Sequence, residues 1–146
     1  MVLIDEIRSA FADCPRIAPD QYVRGGDWQD DEIVNWLTTN DCQVNQAFVE
    51  EFTDCLPNFT LDGLVRVFPD YLEYCILHPS TQACEYVVSK IRHLSQHEIA
   101  SQYFSKEQRC AIRHFLLHSR RYFFLGGVFA EMIEKELAPD GPWTCD

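Results

Sequence analysis

The sequence predicts an all-α fold, a compact single-domain bundle of about six to eight helices spanning residues 1–146. Three observations carry this prediction. Apolar residues recur three and four positions apart in seven or so segments, the spacing that puts them on one face of a helix. No segment sustains the apolar–polar alternation of a half-buried strand. The stretches between apolar stripes are short, as between neighbouring helices of a bundle. Helix should therefore cover well over half the chain, against roughly a third in an average globular protein.

Each element has its own signal. Leu3, Ile4, Ile7, Ala10 and Phe11 mark an amphipathic helix over 2–13 that ends toward Cys14-Pro15, because the residue before proline is pushed out of the α region. Residues 15–29, with two prolines and Gly25-Gly26, form an irregular acidic and aromatic loop. Ile33, Val34, Trp36 and Leu37 mark a second helix, opened by Asp30 or a neighbour as N-cap. A third is expected over 44–56, with Ala47, Phe48, Phe52 and Leu56 inward. Thr60 can cap the next, whose stripe from Leu61 to Ile76 keeps phase across Pro69 as one kinked helix or two abutting ones. Ser80 is read as the cap of a helix reaching Leu94. Ser95-x-x-Glu98 and Ser105-x-x-Gln108 are capping-box candidates, and the second opens the clearest stripe, Ala111, Ile112, Phe115 and Leu116. After Gly126-Gly127 a last helix carries Val128, Phe129, Met132, Ile133 and Leu137, and 138–146 is expected to be a flexible tail.

A chain of 146 residues with 47% hydrophobic content can bury a core without staples. No apolar run approaches the roughly 20 residues of a membrane-crossing helix, and no basic segment precedes an apolar one at the N-terminus. The expectation is a cytoplasmic protein without membrane association. Its seven cysteines, at 14, 42, 55, 75, 84, 110 and 145, are odd in number and irregular in spacing, so free thiols are expected.

The net charge of −11 is unevenly placed. Residues 1–73 carry fifteen acids and four arginines; residues 74–146 carry eight acids and eight bases. Between 20 and 62 there are ten acids and one base, Arg24. A field concentrated in one half steers a basic partner and disfavours direct nucleic-acid binding, which needs cations on the phosphates. Tyr22, Trp28 and Trp36 interleave with Asp20, Asp27, Asp30, Asp31 and Glu32. Aromatic anchors inside a charged rim resemble interface hot spots. Trp36, in phase with Ile33 and Leu37, reads as core, whereas Tyr22 and Trp28 are candidate anchors. Glu50 and Glu51 extend the acidic candidates; adjacent on a helix, they do not form a catalytic carboxylate pair. The bases Lys106, Arg109, Arg113, Arg120 and Arg121 offset acids elsewhere or complement helix C-termini.

Cys110, His114 and His118 fall on one helical stripe and offer metal-ligand chemistry, although the bland reading is a row of boundary residues beside the core. His93 and His97 form a weaker pair, with Ser95 expected to interrupt the helix between them. No nucleophile elbow, phosphate-binding loop or dinucleotide fingerprint occurs. The reading is a binding protein with no catalytic residues, metal or cofactor. The alternatives are a metal- or thiol-dependent enzyme using the Cys110/His114/His118 stripe and a non-inhibitory subunit of a larger complex.

Val67-Phe68-Pro69-Asp70-Tyr71-Leu72-Glu73-Tyr74, the segment Phe104-Ser105-Lys106-Glu107-Gln108 continuing to Leu116, and Ile7-Arg8-Ser9-Ala10-Phe11 together resemble a family of small, uncharacterised, immunity-protein-like bacterial helical domains. The chain departs from that pattern at Pro69, which precedes the tyrosine instead of standing beside a leucine. The resemblance implies a bacterial, helical, cytoplasmic protein. With the charge distribution it leads to the expectation of an inhibitor or nucleic-acid mimic that occludes a basic protein, a toxin nuclease among the candidates.

Overall fold

The computed structural model describes every residue except His97, so the His93/His97 pair falls partly outside the described residues. Eight α-helices appear among the described residues: α1 (Val2–Ala10), α2 (Trp28–Thr39), α3 (Gln46–Glu51), α4 (Leu61–Leu77), α5 (Ala83–Gln96), α6 (Ile99–Tyr103), α7 (Lys106–Tyr122) and α8 (Gly127–Glu136). Short 3₁₀ turns cover Pro19–Tyr22 and Leu56–Asn58. Extended pairing among them is limited to an isolated antiparallel bridge between Val23 and Phe59. The all-α bundle expected from periodicity is the fold.

α4 is the central element, because its sequence is apolar on nearly every side. Leu64, Val65, Val67, Phe68, Tyr71, Leu72, Cys75 and Ile76 are all buried, and α1, α3, α5 and α7 pack around them. It runs unbroken through Pro69, as a single helix. Thr60 caps it as expected, its Oγ1 accepting from the Gly63 amide at 3.0 Å. Gly63 is required there, since a Cβ would stand 2.1 Å from the Tyr22 carbonyl oxygen. Tyr71 donates its hydroxyl to the Phe52 carbonyl at 2.5 Å and joins Phe48 and Phe59 in edge-on contacts. Burying each such large side chain is worth about 1.5–3 kcal/mol.

Other boundaries move for local reasons. Asp27, three residues before Asp30, is the cap of α2, accepting from the Gln29 amide at 3.0 Å. The helix expected over 44–56 is shorter, α3 only, and begins where Asn45 takes the cap position. With that start Phe48 and Val49 turn inward, and Ala47, expected in the core, is exposed. α5 begins at Ala83 instead of Ser80. Ser95 does not open a capping box or break α5: it lies within the helix and donates to the Arg92 carbonyl at 3.0 Å. Ser105 and Gln108 do form their capping box at the start of α7, with distances of 3.1 and 2.9 Å.

The segment expected to be a flexible tail, 138–146, is irregular and is packed against the bundle at Trp143. Trp143 is fully buried, edge-on to Phe104, and its Nε1 donates to Glu136 Oε1 at 2.9 Å. Glu136 is itself buried and paired with Arg92 at 2.8 Å. Arg113 donates to the Trp143 carbonyl at 3.1 Å. A large indole with a satisfied N–H is worth several kcal/mol as an anchor, about 3–5 when truncated to alanine.

Candidate functional site

The predicted acidic site separates into surface and structural residues. Asp20, Asp27, Trp28, Asp31 and Glu32 are exposed, with Trp28 at 68%. Asp27 opens α2, Trp28 is its first residue, and Asp31 and Glu32 follow within little more than a turn. Carboxylates are favoured there by the unpaired amides and positive end of the helix. Glu50 and Glu51 are exposed on α3, where Glu50 accepts from Gln46 at 3.1 Å. Trp36, half-buried, sets its ring edge-on to Phe48 with centroids 5.0 Å apart and lays α3 beside α2.

Two members of the predicted set are not available to a partner. Tyr22 is 4% exposed, because its backbone is tied to the start of α4: its carbonyl accepts from the Thr60 amide at 3.0 Å and lies against Gly63. Burial first, and nearby Cys42 second, push the Tyr22 phenol up to about 12. Asp30 is 3% exposed and accepts from Asn58 Nδ2 at 2.9 Å, tying α2 to the 3₁₀ turn before α4. Neither is a candidate anchor. Asp54, Asp27 and Asp30 add to the effect of burial on Cys55, whose thiol is pushed up to about 12 and is inert at neutral pH.

The second predicted constellation is changed in membership. Cys110 and Cys145 form a disulfide, with their Cα atoms 4.5 Å apart, so the free-thiol expectation is corrected for these two. Cys14 and Cys42 are half-buried free thiols, and Cys55, Cys75 and Cys84 buried ones. His114 lies against the disulfide: its Nε2 is 3.9 Å from Cys110 Sγ and 3.7 Å from Cys145 Sγ. On the other side of the ring, Nδ1 is 2.7 and 2.8 Å from the two carboxylate oxygens of Glu6. His118 takes no part in this cluster. Its ring packs against Tyr122 and Phe123, and burial lowers its pKa.

No family model, curated protein or solved structure matches this chain. The functional reading therefore stands on the chain's own chemistry.

Three elements assemble the cysteine–histidine cluster. α7 supplies Cys110 and His114 one turn apart, α1 packs along α7 and supplies Glu6, and the Trp143 anchor sets Cys145 down beside them. An open cleft of about 670 Å³ adjoins the disulfide, lined among others by Glu6, Asp13, Lys106, Glu107 and both cysteines. Glu6 and Cys145 are the residues that sequence reasoning missed. Spacing could not reveal a pairing 35 residues apart, although a tryptophan inside the short irregular segment Pro142-Trp143-Thr144-Cys145 was a sign that the segment is anchored.

Proposed function

We propose that this chain is a binding protein of the inhibitory, immunity-protein type, whose acidic N-terminal half docks on a basic protein partner such as a toxin nuclease. The observation that carries the reading is Trp28. A tryptophan left 68% exposed at a helix start, with Asp27, Asp31 and Glu32 around it in the chain, combines apolar contact area with a negative rim. Complementary charge would speed encounter, and burial of the indole would slow release. Asp20, Glu50 and Glu51 add to the field; Tyr22 and Asp30 support the scaffold behind it.

The test is capture of basic proteins from a lysate of the source cell, followed by kinetics on the partner obtained. Asp31→Lys with Glu32→Lys should reduce the on-rate and flatten its salt dependence around 0.15 M, where the Debye length is about 8 Å. Trp28→Ala should raise the off-rate by an amount equivalent to about 2 kcal/mol. A partner whose affinity ignores both salt and these three substitutions leaves the acidic half as a solubilising surface and defeats the proposal. The convergence of Cys110, Cys145, His114 and Glu6, none of them on the acidic face, favours a second, separate chemistry.

A further inference from the structure

We infer that Cys110, Cys145 and His114 form a redox-gated site for a soft metal ion of the zinc type, occupied when the two cysteines are reduced and emptied when they join as the disulfide. The inference does not depend on the acidic docking face, whose residues it does not use.

Each sulfur already lies near ligand spacing from the imidazole nitrogen. Ligand bonds of about 2.3 Å for sulfur and 2.0–2.1 Å for imidazole nitrogen, set tetrahedrally, place S and N about 3.6 Å apart. The observed separations from His114 Nε2 are 3.9 and 3.7 Å, and the three donors all lie within 4.8 Å of one another. Once the S–S bond is broken, the sulfurs need to part to about 3.8 Å for the same geometry. Cys145 can make that movement, because it sits in irregular backbone two residues beyond the Trp143 anchor, whereas Cys110 and His114 are fixed on α7.

Glu6 gives the histidine its direction. Its carboxylate accepts from Nδ1–H at 2.7–2.8 Å, which leaves the Nε2 lone pair facing the sulfurs. A carboxylate behind a histidine in this way is the common outer support of zinc ligands. A disulfide acting only as a staple has no use for an imidazole aimed at both its sulfurs. Two thiolates and an imidazole select zinc or cuprous copper over magnesium or calcium. Three protein ligands leave a fourth position for water, and the adjoining cleft has room for it.

Gating follows from electron balance. With hydrogen peroxide as a two-electron oxidant, the zinc-bound dithiolate, one peroxide and two protons yield the disulfide, free Zn²⁺ and two waters. The two thiolate sulfurs each lose one electron, the peroxide O–O bond breaks, and the S–S bond forms. A thiol reductant reverses the sulfur step and regenerates the ligands.

The test uses the full chain and Co²⁺ as a spectroscopic probe for zinc. Protein reduced with a phosphine and handled without oxygen should bind one equivalent of Co²⁺ with a thiolate-to-cobalt charge-transfer band, and peroxide should abolish the band while forming the Cys110–Cys145 link seen by peptide mapping. Cys145→Ser and His114→Ala should each remove stoichiometric binding. Glu6→Gln, which touches neither ligand sulfur nor core, should weaken it 10–100-fold. Cys14→Ser with Cys42→Ser should leave it unchanged and so excludes the other accessible thiols. Circular dichroism checks that each variant is folded. Reduced protein that takes up no stoichiometric Co²⁺, binding that survives Cys145→Ser, equal binding by the oxidised protein, or full affinity in a folded Glu6→Gln variant overturns the inference.

Discussion

Residues 1–73 and 74–146 differ in what their charges do. In the first half a few carboxylates are structural: Asp27 caps α2, Asp30 holds Asn58, and Asp70 and Glu73 take up Arg8. Glu6 faces His114 and Asp41 pairs with Arg16, while Asp20, Asp31 and Glu32 remain exposed as part of an acidic excess. Arg24, the single base between 20 and 62, lies near Lys90 of α5, where its charge joins burial in lowering the lysine pKa. In the second half four of the eight bases close contacts within the fold. Arg92 pairs with buried Glu136, Arg120 with Glu134, and Arg109 and Arg113 donate to backbone carbonyls. The aromatic core of Phe48, Phe59 and Tyr71 holds the first half, so its surface acids are free of that task. Charge that the fold does not use is available for function; charge that closes contacts is not.

The largest effect expected is at the anchor of the second half. Trp143→Ala removes a fully buried indole and leaves Glu136 short of a donor, and should cost about 3–5 kcal/mol in chemical denaturation. A loss below 1 kcal/mol would mean that the C-terminal segment is dispensable and that the two halves are held alike. Next is reduction of the Cys110–Cys145 link, measured with chelator present. Closing a loop of 35 residues is worth about 3–4 kcal/mol in the chain-entropy estimate. An unchanged denaturation midpoint after reduction would remove the covalent term from the contrast between halves.

Within the acidic half the contrast sharpens. Asp30→Ala deprives Asn58 of its partner in a nearly buried place and should cost about 1–3 kcal/mol. Asp31→Ala, one residue on and exposed, should stay within about 0.5 kcal/mol. Equal losses at the two sites would show that sequence proximity, and not burial, governs these carboxylates. Asp70 adds a pH signature. Burial raises its pKa, although Arg8 opposes the shift. Folding therefore favours the protonated form: the stability from this group is complete below the unfolded carboxylate value near about 4 and is lost as pH rises through the folded value. Asp70→Asn should remove that component from a stability–pH curve.

What could be read in the sequence was whatever depends on near neighbours. The stripes of α4 and α7, the Thr60 cap and the Ser105/Gln108 box are local patterns, and each stands where expected. Ser95 misled because serine has more than one local hydrogen bond open to it: it bonds backward within α5 instead of capping. The site was less legible. Tyr22 and Asp30 look like surface residues in an acidic loop, and only contacts to Thr60, Gly63 and Asn58, nearly thirty or more positions away, bury them. The Cys110/His114 part of the second cluster lay on one helix and was visible. Cys145 and Glu6 come from other elements, and His118 shares the helical stripe without sharing the site.

The smallest effect concerns charge at helix ends, where the two halves should behave alike. Asp31 sits in the first turn of α2, next to the positive end of its dipole, and Arg121 in the last turn of α7, next to the negative end. Each position is exposed. Asp31→Lys and Arg121→Glu should therefore each cost about 0.3–1 kcal/mol, and added salt should shrink both losses. Only the first substitution lies on the proposed docking face, so only it should slow partner association. If both losses of stability appear but association responds to Arg121→Glu instead, the working surface belongs to the neutral half. If Asp31→Lys stabilises the fold, relief of self-repulsion among the −11 charges outweighs the local dipole. The acidic excess would then be a load that the first half tolerates, which is the condition expected of charge kept for binding instead of for folding.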